Sequence, residues 1–141
     1  MPHAWFPPVI ERILKPFSIE PSTIKTKRSD HNHKEAKKVA FHLTRAKVLG
    51  LPATLTLSQW LETLKYFQWK CAYCGIRPYE ILEHFLPLFH GGGTTQDNCI
   101  PACPSCNSQK RDMHPLAVNE KMQGSVERVS EYLRNLSDSG N

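Results

Sequence analysis

Two cysteine pairs, Cys71-Ala-Tyr-Cys74 and Cys103-Pro-Ser-Cys106, stand with 28 residues between them (75–102). Two residues between thiols let both sulfurs of a pair reach one ion from a tight turn. Two such turns complete a tetrahedral four-sulfur site of the kind that suits Zn²⁺. Four thiolates leave no open coordination position, so the ion is expected to be structural. Cys99 lies outside both pairs, between Asn98 and Ile100, and reads as a small buried apolar residue. Inside the spacer, Glu83 and His84 interrupt an apolar run, Ile81-Leu82 before them and Phe85-Leu86 after. Burying an unpaired carboxylate in such a run is expensive. Either something pairs with it, or the site exists to do work.

The spacer is longer than a simple zinc ribbon needs. It reads as a strand over about 81–86, a glycine-rich loop over 91–95 and a second strand over about 98–102. Pro104 is a good first helical residue and opens a short helix to about Arg111. Zinc would thus clip the two ends of a hairpin–helix unit, with the unusual residues inside the clip. Neighbouring residues on a regular strand point to opposite faces. Glu83 and His84 are therefore expected to approach one site but touch different atoms, with Pro87 ending regular pairing early.

Other elements must carry this unit. Residues 33–49, placed at 100° per residue, put Lys34, Lys38, His42 and Arg45 on one stripe and Ala36, Val39, Ala40, Leu43 and Ala46 opposite. Gly50-Leu51-Pro52 ends that helix. Between Lys25 and Lys47 there are eight basic and two acidic residues, which favours a phosphate-contacting face over a merely solvated one. Thr56-Leu57-Ser58-Gln59 is a capping-box pattern, with Leu55 and Trp60 at staple spacing, and opens a helix to about Phe67. Residues 113–124 read as irregular. Ser125 would cap a last helix to about Leu136, with Val126, Val129, Tyr132 and Leu133 facing inward and a frayed tail after it. Five prolines make residues 1–32 an extended arm, anchored by Trp5 and Phe6.

The spaced series Glu83-His84, Pro87, His90-Gly91-Gly92, Asp97-Asn98, Cys103-x-x-Cys106-Asn107 and Lys110 resembles the HNH nucleases, in the subgroup held by a four-cysteine zinc. The resemblance covers residues 71–112 and extends loosely back to Gly50. It implies an α+β fold: a small ββα-metal hairpin–helix unit clipped by a structural four-cysteine zinc, with flanking helices on both sides. The expected organisation is an arm (1–32), a basic helical region contacting DNA (33–68), the nuclease core (69–112) and a C-terminal helix with its tail (113–141). The literal tripeptide His31-Asn32-His33 is a decoy, since the family's motif residues are spread over hairpin and helix.

By the same resemblance, His84 is the general base that activates water against a phosphodiester, and an imidazole can accept a proton at neutral pH. Asn98 orients the His84 ring. Glu83 and Asn107 hold one catalytic Mg²⁺ or Mn²⁺ through oxygen. Two departures stand out: Asn107 fills the third motif position, and Glu83 stands where many members carry Asp. Lys34, Lys38, Arg45, His90, Lys110 and Arg111 are expected on the DNA backbone. The net charge of +5 agrees with a polyanionic partner. The expected activity is metal-dependent DNA cleavage, and the alternative is a non-catalytic zinc-stabilised DNA-binding module. No run is long enough for a membrane span and no secretion signal stands out, so a reducing cytoplasm is expected. Monomer and homodimer both stay open.

Overall fold

Helix α1 runs over Pro21–Val48 in the computed structural model, which describes residues 21–139. The expected arm is therefore corrected from Pro21 onward, while its first twenty residues, with Trp5 and Phe6, lie outside the described residues. Proline breaks a helix interior but is welcome in the first turn, where its missing N–H has no partner to lose. The helix ends as its sequence demands. Gly50 adopts φ 70°, the Leu51 amide bonds the Ala46 carbonyl at 2.9 Å and the Gly50 amide bonds the Lys47 carbonyl at 3.0 Å. That is a Schellman motif, and a left-handed φ at this point favours glycine.

The buried line of α1 differs from its apolar stripe. Val39 and Ala46 are buried as expected, but Ala40 is exposed and Glu35 is buried. Polar side chains tie the helix down. The Glu35 carboxylate accepts from Trp60 Nε1 at 2.9 Å and from the Tyr79 hydroxyl at 2.7 Å. Lys38 Nζ donates to the same Tyr79 hydroxyl at 2.7 Å and to the Glu80 carbonyl at 3.0 Å. A buried carboxylate with two donors avoids the cost of an unpaired one.

Helix α2 spans Leu57–Tyr66 and starts with the expected capping box. The Gln59 amide bonds Thr56 Oγ1 at 3.1 Å, and the Thr56 amide bonds Gln59 Oε1 at 3.0 Å. Leu55 and Trp60 meet in one core with Val39, Leu64, Leu82 and Cys99, which joins α1 and α2 to the hairpin. Strand β1 (Ile81–His84) pairs antiparallel with β2 (Cys99–Ala102), with Glu83 opposite Ile100 and His84 opposite Cys99. β1 stops two residues short of expectation because the Asn98 side chain captures the Leu86 backbone, accepting from its amide at 2.8 Å and donating to its carbonyl at 3.0 Å.

Helix α3 (Pro104–Lys110) follows β2 directly, with Pro104 in its first turn. Helix α4 (Glu120–Ser139) begins earlier than the Ser125 cap suggests. Asn119 Oδ1 accepts from the Met122 amide at 3.2 Å and takes the capping place. Val126, Val129 and Leu133 are buried as the spacing predicts, and with Val118 and Met122 they close a second core over Cys71, Tyr73, Ile100, Cys103 and Cys106. The result is an α+β arrangement in which a two-stranded hairpin and α3 sit between the flanking helices.

Candidate active site and metal centre

The first knuckle precedes β1 and the second closes β2 and opens α3, so chain order alone brings both cysteine pairs to one end of the hairpin. The Sγ atoms of Cys71, Cys74, Cys103 and Cys106 all lie within 4.8 Å of one another. Zn–S bonds of about 2.3 Å in a tetrahedron place sulfurs about 3.8 Å apart, so the four thiols fit Zn²⁺. Backbone amides already point at two sulfurs: Arg77 N to Cys74 Sγ at 3.5 Å and Cys106 N to Cys103 Sγ at 3.4 Å. Such bonds favour the thiolate form that binds metal. Cys99 is fully buried in the other core and is absent from the cluster, as its neighbours in sequence predict.

Glu83 and His84 diverge as strand neighbours must. Glu83 turns toward α3, where one carboxylate oxygen accepts from the Tyr73 hydroxyl at 2.5 Å and the other from Lys110 Nζ at 3.3 Å. Burial pushes the Glu83 carboxyl above its ordinary pKa, opposed by the Lys110 ammonium and the Tyr73 hydroxyl. His84 turns toward α1, where its Nε2 lies 2.9 Å from Thr94 Oγ1 and its ring packs edge-on against His42 at 5.2 Å. Burial, with His42, Arg45 and Lys110 nearby, lowers the His84 pKa to about 4. His42 is likewise lowered to about 4 by burial and by Arg45 and Lys38.

Both depressed values mean a neutral imidazole at pH 7. In NMR titration of the magnesium-free protein, both rings are expected to stay neutral down to pH 5. Protonation near the ordinary value of about 6.5 would contradict the burial argument. The unfolded chain takes up protons from about pH 6.5 while the folded one waits until about 4, so these histidines destabilise the fold as pH falls through that window.

One open cleft of about 900 Å³ gathers the divergent pair again. Glu83, His84 and Asn107 line it, with Arg45, Arg111 and Asp112 around them. His84 is the last residue of β1, and Asn107 stands on α3 directly after the ligand position Cys106. The four-cysteine cluster therefore sets where Asn107 stands relative to the strand. Glu83 and Asn107 both line this cleft, and a carboxylate with an amide is a donor set that suits Mg²⁺ or Mn²⁺. His31, Asn32 and His33 lie on α1 and do not line the cleft.

Three expectations change. Asn98 makes no hydrogen bond to the His84 ring: its amide group is spent on the Leu86 backbone and on the Gly93 carbonyl at 2.8 Å, so it staples the loop. The same closeness explains Gly92, where a Cβ would overlap the Leu86 carbonyl. Lys110 is fully buried and cannot reach DNA; its Nζ serves Glu83 and the His84 carbonyl at 3.3 Å. Lys38 is half-buried and committed to Tyr79 and Glu80, whereas Lys34, Arg45, His90 and Arg111 are exposed. Tyr73 and Thr94 were not legible as site residues. The signals available were a tyrosine inside the first knuckle and a threonine beside the glycine run.

Lys110→Met is expected to cost about 3–5 kcal/mol, because it strands a buried carboxylate charge. Urea unfolding of zinc-loaded protein at pH 7 reads this directly. A loss below about 1 kcal/mol would mean that the pair is solvated, contrary to its burial.

Residues 71–113 match the HNH endonuclease family. That segment holds both cysteine pairs, the hairpin and α3. YoqL of Bacillus subtilis, an SPbeta prophage-derived candidate HNH endonuclease, is 39% identical over 69 residues, covering 41% of this chain and 30% of the relative. The type IV methyl-directed restriction enzyme EcoKMcrA of Escherichia coli is 43% identical over 37 residues, covering 26% of this chain and 12% of the enzyme. The chain thus spans under a third of the length of either relative. No solved structure matches it. Among the described residues no helix is long and apolar enough to cross a membrane.

Proposed function

We propose that this chain, with an HNH endonuclease segment at residues 71–113, is a metal-dependent DNA endonuclease that hydrolyses phosphodiester bonds. The observation that carries this reading is the convergence of Glu83, His84 and Asn107 on one cleft rimmed by two arginines. Arg45 and Arg111 would seat a backbone phosphate there, with exposed Lys34 and His90 extending the contact along the strand. His84, neutral at physiological pH, takes the proton from the attacking water. Glu83 and Asn107 would hold a divalent cation, and Tyr73 and Lys110 hold the Glu83 carboxylate for that task. A bound Mg²⁺ or Mn²⁺ supplies positive charge to the phosphate and to the leaving 3′ oxygen. Zinc on the four cysteines would be structural.

One observation favours a second reading. The Lys110–Glu83 pair satisfies the carboxylate without a metal, as it would in a non-catalytic zinc-stabilised DNA-binding module. The two readings part on cleavage. Supercoiled plasmid is expected to become nicked or linear only with Mg²⁺ or Mn²⁺, leaving 5′-phosphate ends. Salt-sensitive DNA binding with intact plasmid at excess protein would leave the binding module as the function.

A further inference from the structure

Thr94 is fully buried, and its hydroxyl stands between two groups, His84 Nε2 at 2.9 Å and the backbone carbonyl of His42 at 3.0 Å. A hydroxyl carries one proton, and a carbonyl can only accept. The Thr94 proton therefore goes to the His42 carbonyl, and an oxygen lone pair faces the imidazole. The ring nitrogen opposite that lone pair must carry a hydrogen. A neutral imidazole has only one N–H, so Nδ1 is left with the free lone pair.

The threonine is held firmly enough to impose this choice. Its amide bonds the Pro52 carbonyl at 2.8 Å, and its own carbonyl accepts from the Thr54 and Leu55 amides, both at 3.0 Å. The segment joining α1 to α2 thus grips the Thr94 backbone, while α1 itself takes the hydroxyl proton. Among the described residues, Thr94 is the one hydrogen-bond partner of the His84 ring.

We infer that Thr94, through its bond to the His42 carbonyl of α1, is a positioning residue that fixes His84 as the Nε2–H tautomer and leaves Nδ1 to receive the proton. The assignment of Nδ1 as proton acceptor rests on the nuclease reading above; the tautomer itself does not. A helix outside the family-matched segment thereby sets the chemistry of a residue inside it.

The test is ¹⁵N NMR of the histidine rings in the zinc-loaded full chain, with the His84 signals assigned through His84→Asn. The wild type should show a protonated Nε2 and an unprotonated Nδ1. Thr94→Val keeps the side-chain shape but has no hydroxyl, so the Nδ1–H form should appear. Thr94→Ser should restore the wild-type pattern. Plasmid cleavage should follow, with kcat down about 10–100-fold in Thr94→Val, DNA affinity unchanged and Thr94→Ser recovered. A wild-type His84 protonated at Nδ1, or a tautomer that Thr94→Val does not disturb, would overturn the inference. If Thr94→Val fails to fold, the wild-type spectrum alone decides the tautomer. If the wild type shows the Nε2–H form but cuts no DNA, the Thr94 assignment stands and the nuclease reading falls.

Discussion

His84→Ala is expected to slow single-turnover plasmid cleavage by about 10²–10⁴-fold, the span that one positioned general base contributes. The loss should be confined to chemistry. His84 bonds through its ring to Thr94, and Thr94 keeps its second bond to the His42 carbonyl when the ring is gone. Glu83 keeps Tyr73 and Lys110, and the histidine is not among the four residues that gather around the zinc position. Zinc content and DNA affinity should therefore be those of the wild type. A variant that cuts at more than a tenth of the wild-type rate would mean that some other group takes the proton. A variant that loses zinc as well would mean that His84 is a structural residue of the core.

Removing zinc is expected to have the largest effect on the fold. Structural zinc contributes on the order of 10–16 kcal/mol of apparent binding energy, whereas a whole domain is stable by about 5–15 kcal/mol. The cysteines here are also core residues. Cys71, Cys103 and Cys106 pack with Tyr73, Ile100 and the inner face of α4, and Cys103 Sγ caps α3. Without the ion, the thiols that remain cannot hold the knuckles together across the hairpin ends. A strong chelator should abolish cooperative thermal unfolding, and Cys103→Ser should do the same without chelator. Cleavage should be lost in parallel, because Asn107 sits one residue beyond Cys106. An unchanged melting curve in chelator would show that the two apolar clusters suffice.

The features legible in the sequence were those encoded locally. The capping box at Thr56–Gln59, the knuckle spacing, the proline opening α3 and the inward face of α4 each depend on residues within a turn or two. The chain could not announce contacts made across space. Lys110 looks like any basic residue at a helix end until the fold sets it against Glu83, 27 positions away in sequence. Glu35 and Lys38 look like solvated helix charges until Trp60 and Tyr79 arrive. Asn98 and Thr94 lie four positions apart, and both are small and polar. Only the loop's path decides that the amide staples the Leu86 backbone while the hydroxyl meets the histidine. The start of α1 was hidden for a different reason. Residues 21–32 carry no apolar periodicity to mark them as helical.

The central claim is a division of labour between two metal centres. Thiolates would hold a structural zinc, and Glu83 with Asn107 would hold a catalytic cation beside His84. The most direct test is Mn²⁺ electron paramagnetic resonance on zinc-loaded His84→Ala bound to duplex DNA, which holds the substrate uncut. One Mn²⁺ per chain is predicted, lost on adding Asn107→Ala while the zinc stays in place. No bound Mn²⁺, or a signal indifferent to Asn107→Ala, would contradict the account.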